Sequence, residues 1–233
     1  MTSATILCII PARSGSKSLS HKNIRELNGK PMLAWSIEQA KASQFASQMR
    51  VVVSTDSEEY AEIAREFGAE VPFLRPAEIS GDLSTDHEFL SHAVSWFREN
   101  ENYVSNIILQ LRPTSPTRKV QDIDDCLNTF MQNIDNYDSL RSVIPFEKSP
   151  YKMYTADGNV LTPLFAEVNG IPEPYNQCRQ VLPQCYLHNG YIDILKTSLL
   201  ERGTISGENI YPFVMSPEDN VDIDTEKDLQ RAF

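Results

Sequence analysis

Short apolar runs alternate with amphipathic segments along this chain, and the alternation indicates the fold. Runs of the length of one buried strand occur at residues 5–10, 50–54, 71–74, 106–111, 139–145, 190–194 and 211–215. Apolar residues at helical spacing between these runs predict helices at 31–40, 58–67, 86–100, 122–133 and 198–202, and a last helix from Thr225. This order is typical of an α/β domain whose central sheet is mostly parallel and flanked by helices. Such sheets bind ligands beyond the carboxyl ends of their strands.

The α/β pattern breaks at Pro145 and resumes near Gly190. Residues 149–186 contain five prolines, several aromatic residues and an Asp157-Gly158 pair that favours a hairpin turn. Prolines at this density exclude a long helix, so the segment is predicted to be an extended, β-rich insertion. The alternative is a loose surface excursion, which the many apolar side chains of the segment disfavour. The sequence thus predicts a single domain over residues 1–233 with one insertion at 149–186.

Composition and charge narrow the range of functions. The chain has 233 residues and a formal net charge of -11, which disfavours nonspecific binding to nucleic acid or to an anionic membrane. No apolar stretch approaches the ~20 residues of a membrane span, and no secretory leader is predicted. The four cysteines are widely spread, fit no zinc motif and are predicted to be reduced, as in a cytoplasmic protein. An anionic small molecule can bind only where the few basic residues are gathered.

The loop after the first strand gathers basic residues. Arg13, Lys17, Lys22 and Arg25 fall within thirteen residues, and Gly15 lets backbone N–H groups approach a ligand. Arginine and lysine donate charge-assisted hydrogen bonds to phosphate oxygens, so the loop is a candidate phosphate site. It matches neither a Walker A motif nor a dinucleotide-binding fingerprint. The alternative is a basic loop that is simply solvated.

A second candidate lies near the other end of the chain, where one residue separates Asp222 from Asp224. On an extended segment two such carboxylates point to the same side, and they can share one Mg²⁺ with phosphate oxygens. The alternative makes Asp224 the N-cap of the last helix and leaves Asp222 exposed without a role.

Two further polar segments are candidates for substrate contact. Residues 111–118 follow a predicted parallel strand, where the ligand crevice is expected, although a capped turn before the next helix explains the same residues. Arg179, beside Gln180, can bind a carboxylate through two hydrogen bonds, and a polar segment follows at 188–190. The alternative is an exposed arginine and a turn before a strand.

Seven short segments occur along the chain in a characteristic order: 9–17 (IIPARSGSK), 22–24 (KNI), 29–32 (GKPM), 54–56 (STD), 74–78 (LRPAE), 113–116 (PTSP) and 222–226 (DIDTE). Together they resemble a known family, the acylneuraminate cytidylyltransferases, also called CMP-sialic acid synthetases. The resemblance spans nearly the whole chain, and the shared order is more specific than any single motif.

This resemblance implies a nucleotidyltransferase with a Rossmann-like fold that converts CTP and a nonulosonic acid into a CMP-sugar and pyrophosphate, with Mg²⁺ as cofactor. The implied catalytic residues are Arg13, Lys17, Asp222 and Asp224, of which the two aspartates bind the metal. The implied nucleotide contacts are Arg13, Ser16, Lys17, Lys22, Asn23, Arg75, Ser84 and Thr85. The implied sugar contacts are Arg112, Thr114, Ser115, Arg179, Gln180 and Asn189.

The resemblance also implies a homodimer in which residues 149–186 help to complete the partner's sugar site. Four positions depart from the family pattern. Arg112 stands where relatives often carry glutamine, Asp193 where relatives carry tyrosine near the sugar, and Ser18 and Ser20 replace glycine and proline in the first loop. A cation at position 112 can alter the choice of sugar.

Two other functions stay open on the sequence. One is a nucleotidyltransferase of the same fold that acts on 3-deoxy-manno-octulosonate or on a sugar 1-phosphate. The other is a noncatalytic nucleotide-sensing protein, which the retained charges of Arg13, Lys17 and the aspartate pair disfavour.

Overall fold

The computed structural model describes residues 5–17, 19–219 and 221–231. Within these ranges six strands form the main sheet: β1 (Ile6–Pro11), β2 (Met49–Ser54), β3 (Ile107–Gln110), β4 (Ser139–Phe146), β5 (Cys185–Lys196) and β6 (Ile210–Val214). Their spatial order is β6-β4-β5-β3-β1-β2. All run in one direction except β5, which is antiparallel to both of its neighbours. The predicted mostly parallel sheet is confirmed. Ser18, one of the departures from the family pattern, lies outside the described residues.

Helices cover both faces of this sheet. They are α1 (Met32–Ala42), α2 (Glu58–Glu66), α3 (Asp86–Glu101), α4 (Val120–Gln132) and α5 (Glu226–Arg231), with a 3-10 helix at Thr197–Arg202 and a short hairpin of Glu26–Leu27 with Lys30–Pro31. Alternate residues of β1 face opposite cores: Cys8 packs with residues of α1, α2 and α4, and Ile9 packs with residues of α3. Because both faces are covered, β1 is apolar throughout. No helix within the described ranges combines the length and apolar character needed to cross a bilayer.

The strand predicted at 71–74 is wrong. Only Glu70 bridges to the sheet there, beside Val52, and the chain then leaves it as a loop. Pro72 has no N–H to donate to a ladder, and Leu74 is exposed. The loop instead returns through the hydrogen bond from Arg75 N to Thr55 O (2.7 Å), which brings Arg75 to the end of β2.

The strand predicted at 190–194 is the second half of the longer strand β5. The pairing of β5 with β4 shifts register between His188 and Asp193, which marks a bulge. Gly190 lies in this bulge with a φ of 66°, in the left-handed region. A Cβ there would lie 2.8 Å from Nη1 of Arg112, so the position needs glycine for conformation and for space.

Residues 149–186, called the arm below, contain two short hairpins outside the main sheet. The first pairs Tyr154–Asp157 with Val160–Pro163 and turns at Asp157-Gly158, as predicted, and the second pairs Glu167–Val168 with Ile171–Pro172. The last two residues of the arm already pair with β4 as the start of β5. Apolar side chains along the arm are exposed, among them Leu161 and Phe165.

Candidate active site

A cavity of about 190 Å³, called the central cavity below, opens where β1 and β3 end. These strands are parallel neighbours, so the loops that follow them meet at one edge of the sheet, as the fold predicts. The cavity is lined by Pro11, Arg13, Ser16, Lys22, Asn23, Arg75, Ser84, Asp86, Phe89, Arg112, Pro113 and Thr114. Eight of these are residues for which the sequence predicts nucleotide or sugar contact. The structure brings these eight residues together around one cavity, and their roles in binding nucleotide or sugar stay predictions.

The basic loop is anchored at its start by a carboxylate from the neighbouring strand. Asp56, just beyond β2, accepts hydrogen bonds from the backbone N (2.7 Å) and the hydroxyl (2.8 Å) of Ser14. Asn23 is buried and donates its amide to the carbonyl oxygen of Arg13 at 2.9 Å. The beginning and end of the loop are thereby fixed around the cavity. Asp56 has no role in the sequence-based prediction, although its place just after a predicted strand was a usable signal.

Two basic side chains of this loop share one acidic partner. Asp82 accepts a hydrogen bond from Arg13 (2.9 Å) and forms an ion pair with Lys17. These contacts, from Lys17 first and then Arg13, lower the pKa of Asp82. Arg13 lines the cavity, whereas the side chain of Lys17 is 83% exposed and is not among the lining residues. A bound phosphate would compete with Asp82 for both cations.

Arg75 forms a buried cationic wall of the central cavity. Its guanidinium donates to the carbonyl oxygen (2.6 Å) and hydroxyl (3.0 Å) of Ser54 and lies 4.7 Å from the ring centre of Phe89. Desolvation lowers the pKa of Arg75 to about 10, which still leaves it charged at neutral pH. Its charge is therefore held at a fixed place with little water around it.

The acidic pair reaches the same cavity from the far end of the chain. Ile223 is fully buried beside Leu27 and Met32, and its N–H donates to the carbonyl oxygen of Thr114 at 2.8 Å. Asp222 and Asp224, which flank Ile223 in the sequence, are exposed.

Each aspartate then contacts a residue that lines the cavity. Asp224 forms an ion pair with Lys22 at 2.7 Å, and Asp222 accepts a hydrogen bond from the side chain of Thr114. Desolvation, together with the charge of Asp224, raises the pKa of Asp222.

The alternative in which Asp224 caps the last helix is wrong. Thr225 and Asp228 cap α5 instead: Asp228 accepts from the N (2.8 Å) and hydroxyl (2.7 Å) of Thr225. The residue Asp224 is thus free to face Lys22. Across the described ranges, no cluster of three or more His, Cys, Asp or Glu side chains is placed to hold a metal ion. A cation bound here would be coordinated by these two carboxylates and by oxygen atoms of a bound ligand.

Four predicted sugar contacts lie away from the central cavity. Ser115 is buried in the turn after β3, and Asn189 accepts hydrogen bonds from Ser142 (2.7 Å) and the N of Tyr191 (3.2 Å) in the bulge of β5. Arg179 and Gln180 are exposed on the arm, where Arg179 lines a separate small cavity. Within one described chain these residues do not join the lining of the central cavity.

Arg118, the last residue of the polar segment 111–118, is buried and has no predicted role. It donates to the carbonyl oxygens of Arg112 (2.7 Å) and Tyr191 (2.7 Å) and to the side chains of Ser36 and Gln39. These bonds fix the loop after β3, which carries Arg112 and Thr114, against α1 and β5. A cation next to a Pro-Thr-Ser-Pro turn was the available signal, but its partners are distant in sequence.

Thr85, a predicted nucleotide contact, caps α3 in the structure. Its hydroxyl accepts from Glu88 N while Glu88 accepts from Thr85 N (2.6 Å), which is a capping box. We therefore expect Thr85→Ala to destabilise the fold by about 1 kcal/mol and to leave unchanged the KM for CTP, the nucleotide that the family resemblance implies. Denaturant unfolding and CTP kinetics measure the two effects, and Thr85→Ser, which keeps the hydroxyl, is the control. A raised CTP KM at unchanged stability would instead support nucleotide contact.

Comparisons with known proteins agree on one family. A family model described as cytidylyltransferase matches residues 7–160. The post-translational flagellin modification protein B of Campylobacter coli is 34% identical over 228 residues, which are 97% of this chain and 92% of the relative. The CMP-N,N'-diacetyllegionaminic acid synthase of Campylobacter jejuni is also 34% identical, over 97% of this chain and 93% of its own.

Longer relatives and solved structures extend this picture. The N-acylneuraminate cytidylyltransferase of Escherichia coli is 32% identical over 97% of this chain, which spans about half (51%) of that relative's length. The structure of a CMP:2-keto-3-deoxy-manno-octonic acid synthetase complexed with CTP has a TM-score of 0.69 and covers 98% of this chain and 97% of its own. Its 17% identity makes this a likeness of fold alone.

Proposed function

This chain belongs to the cytidylyltransferase family, and from that premise we propose that it transfers CMP from CTP to the anomeric hydroxyl of a nonulosonic acid, with release of pyrophosphate. The full-length relative from C. jejuni is named for a CMP-legionaminic acid product, and the longer one from E. coli for acylneuraminate. Both sugars are nonulosonic acids, which favours this class of acceptor. The alternative acceptor, 3-deoxy-manno-octulosonate, is supported only by a likeness of fold.

The observation that carries the proposal is the convergence of the two ends of the chain. Lys22 and Asp224 are 202 positions apart in sequence, and their side chains lie 2.7 Å apart at the edge of the central cavity. Arg13 and Arg75 line the same cavity. Cations from two segments of the chain beside a pair of carboxylates suit a triphosphate that needs both charge neutralisation and a divalent cation.

We include Mg²⁺ in the proposal because the donor set of the acidic pair suits it. Magnesium prefers oxygen ligands and is usually bound by one or two carboxylates together with substrate phosphates. Asp222 and Asp224 are two exposed carboxylates on one extended segment, and the mutual charge that helps to raise the pKa of Asp222 would be relieved by a cation. When bound, the metal would neutralise charge on the phosphates.

In the proposed reaction the anomeric hydroxyl oxygen attacks the α-phosphorus as its proton is released. The bond from the α-phosphorus to the bridging oxygen breaks, and pyrophosphate leaves with that oxygen. Arg13 and Lys22 would neutralise the negative charge that the leaving group gains, and Arg75 would fix the nucleotide against the end of β2. Catalysis of this kind rests on positioning and on preorganised charge.

The proposal includes a homodimer and a cytoplasmic location. The exposed apolar side chains of the arm, such as Leu161 and Phe165, support an interface with a second copy, which would also bring Arg179 and Gln180 toward a partner's sugar site. The cytoplasmic location rests on the expected reduced cysteines.

The direct test incubates the protein with CTP, Mg²⁺ and a panel of nonulosonic acids that also includes 3-deoxy-manno-octulosonate. We expect pyrophosphate release and a CMP-sugar mass with at least one nonulosonic acid, and weaker turnover with the eight-carbon acid. Reactions with UTP and ATP are the nucleotide controls. Folded protein that makes no product across this panel would contradict the proposed function, and product from the eight-carbon acid alone would reassign the acceptor.

A further inference from the structure

A buried carboxylate in β5 gathers three basic side chains. Asp193 is 1% exposed, and its oxygens contact Arg112 (2.6 Å), Arg141 (3.0 Å) and His188 (2.7 Å). Burial by itself would raise the pKa of Asp193, but the hydrogen bond from His188 and the charges of Arg112 and Arg141 outweigh it and hold the pKa below its usual range. Asp193 is therefore ionised at neutral pH and holds its three partners in fixed directions.

Arg112 is held between this carboxylate and a second one. Its Nη2 donates to Asp86 at 2.6 Å, and Asp86, the first residue of α3, also accepts from Gln110 at 3.0 Å. Its Nη1 donates to Asp193 and to the carbonyl oxygen of Gly190 at 3.2 Å. The guanidinium has further N–H groups that these contacts do not use, and they can donate to a ligand.

Arg112 lies at the junction of two cavities. It lines the central cavity and also a second cavity of about 440 Å³. Asp86 also lines both cavities, and the second is completed by Arg141, His188, Ser206, Ile205 and Ile210. The second cavity thus presents hydrogen-bond donors beside apolar side chains, which suits a substituent that carries an oxygen acceptor and some apolar surface.

We propose that Asp193 is a positioning residue that fixes Arg112 at the junction of the two cavities, so that Arg112 binds an oxygen of the acceptor substrate seated toward the second cavity. The inference rests on the proposed function for the identity of the acceptor, a sugar acid. Asp193 itself lies beneath the surface and acts through Arg112. The arrangement makes the side chains at 112 and 193 one coupled unit that selects the sugar.

Stability alone is a poor reason for this cluster. A buried ion pair contributes little net stability compared with apolar side chains of the same size, because each charge loses its hydration. Arg112 lines both cavities, and Gly190 packs so closely against Arg112 that a Cβ at position 190 would touch it. A side chain that is held from three directions at the junction of two cavities is preorganised to bind.

The test uses Asp193→Asn, which keeps the volume and removes the charge. We expect the KM for the sugar acid to rise about tenfold, with the KM for CTP and kcat within about twofold of wild type. Arg112→Gln should raise the same KM, and adding Asp193→Asn to it should change little more, because the carboxylate acts through the arginine. The control is Glu70→Gln, which removes an acidic partner of half-buried Arg50, a pair that lines neither of these cavities.

Thermal unfolding of each variant separates positioning from stability. Equal rises in the KM for both substrates, or full additivity of the two substitutions, would overturn the inference. The inference would also be overturned if Asp193→Asn lost stability to the same extent as Glu70→Gln but kept wild-type kinetics. A wild-type enzyme that makes product while Asp193→Asn leaves the sugar KM unchanged overturns this inference alone. A wild-type enzyme that makes no product with any acid overturns the proposed function, and this inference with it.

Discussion

Lys22→Ala should lower kcat/KM for CTP by about a hundredfold or more, whereas Lys17→Ala should cost less than about tenfold. Both lysines belong to the basic loop that the charge pattern makes a candidate phosphate site, and the family resemblance implies a catalytic role for Lys17 but only nucleotide contact for Lys22. The structure separates them: the side chain of Lys22 is 15% exposed and lines the central cavity, and that of Lys17 is 83% exposed. A charge fixed where water is scarce stabilises a phosphate far more than one that solvent screens.

Initial rates of pyrophosphate release at varied CTP measure this difference. Lys22→Arg keeps the charge and should recover part of the activity, while Lys30→Ala is the control for loss of a lysine from an ion pair outside the lining of the cavity. Lys22→Ala also leaves Asp224 without its partner, so its effect should include a changed response to Mg²⁺. If Lys17→Ala lost more activity than Lys22→Ala, Lys17 would be the main phosphate ligand, as the family resemblance implies.

Those parts of the fold that depend on local pattern could be predicted from the sequence. β1 is apolar at every position because helices cover both faces, and the turn at Asp157-Gly158 follows from the residues that form it. The loop at 71–74 was mistaken for a strand, because its apolar residues resemble one and only Pro72 argues against pairing. Pattern alone does not show whether a neighbouring strand offers an edge.

The direction and length of β5 could not be predicted. Only its second half is continuously buried, since the first half, from Cys185 to His188, pairs with β4 at the surface. Its antiparallel direction depends on how the chain returns from the arm, and no local signal encodes that return. The sequence therefore located the residues of this strand nearest the core and missed the rest.

The site shows the same division between local and distant information. The basic loop and the aspartate pair were recognisable as chemical motifs. The order of motifs shared with a known family indicated that the two belong to one site. Asp82 and Asp86 were missed as partners of Arg13 and Arg112, and Asp56 was missed as the partner of Ser14 in the basic loop. Each becomes a partner only through contacts between distant segments. The same holds for Asp193: the sequence flagged it as a departure, but its ion pair with Arg112 spans 81 positions.

The acidic pair gives the second large effect that we expect. Asp222→Asn and Asp224→Asn should each raise the Mg²⁺ concentration for half-maximal rate by about ten- to a hundredfold, and the double variant should lose nearly all activity at millimolar Mg²⁺. Neither substitution should unfold the protein, because both side chains are exposed and the buried anchor of the segment is Ile223. The effect should therefore be on metal binding.

The measurement is the rate against Mg²⁺ concentration after the protein has been treated with a chelator. Glu226→Gln is the matched control: it removes a carboxylate of similar exposure two residues from Asp224, where Glu226 pairs with Arg25 at 2.9 Å. Its metal dependence should equal that of wild type. If Asp222→Asn and Asp224→Asn behaved like Glu226→Gln, the pair would not bind the metal, and the ion pair of Lys22 with Asp224 would only hold the basic loop in place. The two aspartates have different partners, since Asp222 contacts Thr114 and Asp224 contacts Lys22. A shift in the metal dependence of Asp224→Asn alone would therefore assign the effect to the lost contact with Lys22 and not to a shared cation.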